Sequence, residues 1–113
     1  MTVIERAKAH FSQQQRRIAE VPEWADDDGK PLIIHGKPLT LAEKQKIDAY
    51  RDRWGKMDAL AYTLILKAED EQGNKIFTLE DKRALMTTVD PDVLARVIMD
   101  LISTPSPEAV SKN

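Results

Sequence analysis

Seven residues in the middle of the chain place the tightest constraint on its fold. Ile47, Tyr50, Trp54, Met57, Ala61, Leu64 and Ala68 recur at spacings that alternate between three and four. That pattern puts all seven on one face of an α-helix, like the apolar seam of a coiled coil. Thr40, with Glu43 three residues on, supplies a capping box and marks the helix start. Gly55 lies inside the seam, at a cost of about 1 kcal/mol relative to alanine in a helix interior. The seam keeps its phase through Gly55, which predicts one helix from Leu41 to Glu69, about 43 Å long at 1.5 Å per residue. Leu60, Ile65 and Leu66 nearly complete an apolar ring around its second half, which is therefore expected at the centre of the core.

The flanking segments are shorter. Residues 2–19 read as a helix that Thr2 and Glu5 can cap, with Ile4, Ala7, Phe11 and Ile18 on one narrow stripe interrupted by Gln14. Pro22 ends it, because proline disfavours the helical conformation in the residue before it. Leu32, Ile33 and Ile34, bounded by Pro31, Gly36 and Pro38, predict a short strand, with Glu23-Trp24 as its partner in a β-hairpin element over residues 21–39. Asp70 to Asn74 forms a turn, and Lys75-Ile76-Phe77 a short extended piece. Thr78 and Asp81 cap a helix reaching to about Thr88, and Asp90-Pro91 opens the last one. In that last helix Val93, Leu94, Val97, Ile98, Leu101 and Ile102 cover about half the circumference, wider than a surface helix needs. The expected architecture is mainly α: residues 1–103 form one helical domain with a long central helix, residues 1–20 are a mobile N-terminal helix, and 104–113 are a disordered tail.

Composition narrows the function. Seventeen basic and nineteen acidic side chains nearly cancel, so the chain lacks the concentrated basic face of a general nucleic-acid binder. Only six residues are aromatic, which leaves the core to aliphatic side chains. There is no cysteine, hence neither disulfide framework nor thiolate metal site. The start Met1 to Arg6 lacks the apolar run of a secretory signal, and no segment reaches the roughly 20 apolar residues of a membrane span. These features predict a cytoplasmic protein.

Nothing resembling catalytic machinery stands out. Fitting an EF-hand with Gly73 as sixth loop residue places Ala68 first, Lys75 eighth and Leu79 twelfth, none of which suits a calcium loop. Asp26-Asp27-Asp28 reads as a solvated turn. His10 and His35 are isolated from other ligand types, and serines 12, 103, 106 and 111 sit in polar surroundings without a nucleophile elbow. Arg6, Lys8, Arg16 and Arg17 bias the first helix towards positive charge, but Glu5 and Glu20 interleave with them, and Glu43, Asp48 and Asp52 do the same on the long helix. The expectation is a protein that is not an enzyme, takes no cofactor or metal, and works through apolar contacts. The candidate partner-binding residues are Val97, Ile98, Leu101, Ile102, Ile34 and Trp24, the wide stripe of the last helix being more than so small a chain needs internally.

The order of these elements resembles a known family. Val21-Pro22-Glu23-Trp24, then Leu32-Ile33-Ile34, then the run KPLTLAEKQKI is similar to the opening of bacteriophage tail assembly chaperones. The later block AEDEQGNKIFTLEDKRALM resembles that family's acidic-glycine turn followed by an aromatic and a capped helix. The resemblance spans Val21 to Ile102, about three quarters of the chain, and leaves the first helix outside it. It implies a small helical protein of long-tailed phages or prophages, made in the cytoplasm of the bacterial host. Such a chaperone coats the tape-measure protein, recruits tail-tube subunits, and carries no catalytic residues. Many members are lengthened by a programmed translational frameshift, with which the C-terminal tail is compatible. Self-association is a further expectation. The alternatives are a small nucleic-acid-binding regulator using the basic first helix and a structural virion component.

Overall fold

A computed structural model describes residues 1–103, and the expected disorder of 104–113 lies outside them. In chain order the elements are α1 (Val3–Gln13), β1 (Arg17–Val21), β2 (Leu32–Gly36), α2 (Leu41–Trp54), α3 (Lys56–Lys67), α4 (Lys82–Thr87) and α5 (Pro91–Ile102), with 3-10 turns at Pro22–Trp24 and Leu79–Asp81. The chain is mainly helical with one small antiparallel hairpin.

The long helix is broken in two. Gly55 takes φ 102° and ψ 167°, a backbone region essentially reserved for glycine, and reverses the chain between α2 and α3. The two helices then lie side by side: Tyr50 stacks on Tyr62 with ring centroids 4.3 Å apart, and Glu43 at the start of α2 reaches Lys67 at the end of α3. Of the seam, Ala61, Leu64 and Ala68 are buried, Ile47 and Tyr50 are half-buried, and Trp54 and Met57 on either side of the glycine stay exposed. As expected, the second arm is the core helix, burying Ala59, Ala61, Leu64 and Ile65. The first arm buries no residue and rests on α3 as an outer layer.

The N-terminal segment also differs from expectation. The helix ends at Gln13, and residues 17–21 pair with β2 in the register Arg17 to Gly36, Ala19 to Ile34 and Val21 to Leu32. Alternation explains the change: Ile18 and Glu20 face out, while Ala19 and Val21 are completely buried beneath α5. Trp24, expected in the partner strand, sits in the following 3-10 turn, where its ring meets Phe77 edge to face. On its other side β2 bonds to Glu69: the His35 N–H donates to the Glu69 carbonyl and the Glu69 N–H to the His35 carbonyl, both at 2.8 Å. Glu69 in turn bridges to Lys75.

The core lies between the hairpin, α3, α4 and α5, with Ile34, Leu64, Ile98 and Leu101 its largest fully buried side chains. Gly36 permits the tightest approach, since a Cβ there would stand 3.1 Å from Leu101 Cδ2 and 3.4 Å from the Lys67 carbonyl oxygen. The expected caps form: Thr2 and Glu5 on α1, Thr40 and Glu43 on α2, Asp81 holding the Thr78 N–H, and Asp90 with Pro91 on α5. Among the described residues no helix is long and apolar enough to cross a membrane.

Two measurements test this account. In a continuous helix Gly55→Ala would stabilise by about 1 kcal/mol; at this left-handed position it is expected to cost about 1–3 kcal/mol in chemical denaturation. The second concerns Lys67, whose side chain is 5 % exposed and whose ammonium lies 2.9 Å from Glu43 Oε1. Burial pushes the Glu43 carboxyl up, but the Thr40 backbone N–H and then the Lys67 ammonium outweigh it and hold it below its ordinary 4.5. A lowered acid contributes stability that is complete above the unfolded value and lost as pH falls through the folded one. Thermal unfolding should therefore show a falling Tm below about pH 4.5. Glu43→Gln should be about 1–3 kcal/mol less stable at neutral pH and show a shallower acid limb.

Candidate functional site

The fold brings the six expected partner-binding residues into one cluster, but directs them inward. Ile34, Val97, Ile98 and Leu101 are at most 1 % exposed, while Trp24 and Ile102 are partly buried against the same core. The wide arc of α5 is consumed by its neighbours: β1 packs along one flank and α3 along the other. In this fold these residues hold the domain together, and a partner could reach most of them only if the domain opened.

The open apolar surface lies one step further round α5. Met57 and Leu60 from the first turns of α3, Leu85 and Met86 from α4, Val89 from the linker, and Pro91, Leu94 and Ala95 from α5 enclose a groove of about 360 Å³. Local chemistry shapes it. Asp90 Oδ1 accepts from the Asp92 N–H at 2.9 Å and Pro91 begins the helix, so α5 starts abruptly within three residues of the end of α4. On the α3–α4 side, Lys82 Nζ lies 2.8 Å from Asp58 Oδ2 and sits over the rings of Tyr50 and Trp54. Asp58 first, and Tyr50 after it, raise the Lys82 pKa, so the ammonium stays charged. Leu85 and Leu94 form a buried floor, and Met57 and Met86 stand at the rim, 62 % and 40 % exposed.

All eight lining side chains are apolar. A small-molecule site combines apolar walls with a few converging polar groups that fix orientation, and this lining has no such side chain. What it can do is take apolar side chains out of water, with flexible thioethers adapting to their shape. The sequence reading missed the groove because it assigned Met57 to the seam and gave Met86 no role. The available signal was methionine itself: all four methionines are at least 40 % exposed, an uncommon use of an apolar residue.

Half of the basic candidates and both acidic turns are engaged within the fold. Arg16, expected on a basic helix face, instead reaches Glu69 Oε1 at 3.3 Å and the carbonyls of Asp70 and Glu71 at 3.0 and 3.1 Å, clamping that turn to the segment before β1. Arg17 Nε donates to the Ser103 carbonyl at 3.1 Å. Each acidic turn is closed by its own carboxylate, with Asp26 accepting from the N–H groups of Asp28 and Lys30, and Asp70 from those of Gln72 and Asn74. Comparison with protein-family models, with curated proteins and with solved structures finds no match.

Alanine substitution should separate groove rim from core. Leu94→Ala and Ile98→Ala are expected to cost about 2–5 kcal/mol. Met57→Ala and Met86→Ala should stay within about 0.5 kcal/mol in the same urea titration.

Proposed function

We propose that this protein binds an amphipathic helix of a partner through the methionine-rimmed groove, and that it acts in this way as a non-enzymatic phage tail assembly chaperone. The observation that carries the reading is the groove itself, an open trough lined by eight apolar side chains and walled by α3, α4 and α5. An incoming helix would complete a helical layer there, burying its apolar stripe as helix-in-groove recognition does. The exposed charges beside the trough have opposite signs, Lys56 at the start of α3 and Asp90 and Asp92 at the start of α5, which suits a partner with mixed charges flanking its stripe.

The resemblance in element order supplies the partner: the tape-measure protein, whose long helices need cover from water, with tail-tube subunits recruited afterwards in the bacterial cytoplasm. Charged residues at 32 % of the chain keep a protein with such a trough soluble. The engagement of Arg16 and Arg17 within the fold favours this reading over nucleic-acid binding, since half of the basic cluster is already satisfied.

Co-expression with the tape-measure protein of the same phage or prophage tests the proposal. The intact chain should hold that protein in the soluble fraction and be absent from finished particles. Met57→Glu with Met86→Glu should fold normally and bind at least about tenfold more weakly, a loss of about 1.4 kcal/mol. Retention by the double variant at full strength would refute the groove. Salt-sensitive DNA binding abolished by Arg6→Ala and Lys8→Ala would favour the regulator, and incorporation into virions would favour a structural component.

A further inference from the structure

β1 is an edge strand whose outer side is unpaired. In an antiparallel ladder each residue turns its N–H and C=O to one side, and neighbours alternate. His35 spends both groups on Glu69, away from β1, so its partner Ile18 has none from β2. The bonded pairs are therefore Arg17 with Gly36, Ala19 with Ile34 and Val21 with Leu32, and the backbone groups of Ile18 and Glu20 point outward. Among the described residues none of these four groups has a hydrogen-bond partner within the chain. The Ile18 side chain beside them is 59 % exposed.

The surroundings leave room for a further strand. α5 packs more on β1 than on β2, which sets its flank beside the open edge. Between that flank and the strand runs a cleft of about 670 Å³, lined by Gln14 to Ile18 on one side and by Met99, Asp100 and Ser103 on the other. Met99 is 57 % exposed. Just before the strand, α1 buries no residue and displays Val3, Ile4 and Phe11 to solvent. An open edge, a cleft and an apolar helix without a bed thus adjoin one another. Exposed edges of this kind invite pairing unless something covers them.

We infer that a second copy of the chain covers this edge, with β1 pairing antiparallel to β1 of its partner about a twofold axis through Ala19. This register sets Ile18 opposite Glu20 of the partner subunit and satisfies all four outward groups of each copy with four hydrogen bonds. The two hairpins become one four-stranded sheet. The edge is self-complementary, as a twofold interface requires: the N–H and C=O of Ile18 meet those of Glu20 of the partner subunit, and the reverse holds for the other copy. A five-residue strand alone buries too little for a stable dimer, which needs about 800 Å² per partner. α1, joined to β1 by only Gln14 to Arg16, supplies the remainder by laying its apolar face along the partner. The inference is independent of the groove, which lies on the other side of α5.

Sedimentation and amide exchange on the full chain decide it. At about 100 μM, far above a micromolar dissociation constant, the protein should weigh twice its 12.8 kDa chain mass. The Ile18 and Glu20 amides should exchange at least about tenfold more slowly there than under dilute, monomeric conditions. Glu20→Pro removes an outward N–H and no bond within the hairpin, so it should give a folded monomer with unchanged circular dichroism. Ile18→Lys, altering only an exposed side chain, should weaken the dimer in the same sense and serves if the proline variant does not fold. A monomer at high concentration overturns the inference. So does a dimer unaffected by these variants, which places the contact elsewhere, or edge protection that does not change with concentration, which means the chain covers its own strand.

Discussion

The structure depends on removing one face of α5 from water. Val93, Leu94, Val97, Ile98 and Leu101 are all buried, and each contributes roughly 1.5–3 kcal/mol relative to exposure. No single neighbour can cover an arc that wide. The chain covers it from several directions, with Ala19 and Val21 of β1 on one flank and Leu64 and Ile65 of α3 within the same core. Small residues set the closeness of fit: Ala19 under the helix, Ala61 and Ala68 in the core, and Gly36 where the hairpin, the end of α3 and the end of α5 converge. The Arg16 clamp and the Glu43 to Lys67 pair then fasten the outer segments to this centre.

Much of the fold was legible where local chemistry decides it. The capping residues Thr2, Thr40 and Asp90 begin helices as their types and spacings dictate, and the apolar run at Leu32 to Ile34 is a strand. The failures share one cause, a pattern that two tertiary arrangements satisfy equally. Heptad spacing through Gly55 fits either a straight helix or two helices folded side by side, and only the backbone at Gly55 separates them. Ile18 continues the stripe of α1 by helical spacing and equally begins the alternation of β1. The sheet wins because Ala19 and Val21 complete the core. The burial of the candidate partner-binding residues has a related origin: a wide stripe announces burial without saying whether the cover comes from the same chain.

The two faces of α5 therefore carry different burdens. One is sealed by the chain and gives the domain its stability. Towards its first turns the helix borders the methionine-rimmed groove, where Leu94 belongs to both floor and core. The groove thus has a rigid wall backed by the residues that hold the fold.

The thin attachment of α2 gives the domain a graded resistance to opening. That helix buries none of its residues; one aromatic stack and one ion pair hold it to α3, Lys82 of α4 sits over its Tyr50 and Trp54 rings, and a glycine hinge ends it. Its departure would uncover the outer side of α3 and leave the packing of α5 on the hairpin in place. Amides of α2 should then exchange through a low-energy opening while those of α5 await global unfolding. A protease attacking the folded domain would find its first foothold at this arm, and the hinge that shortened the helix also lets it swing clear.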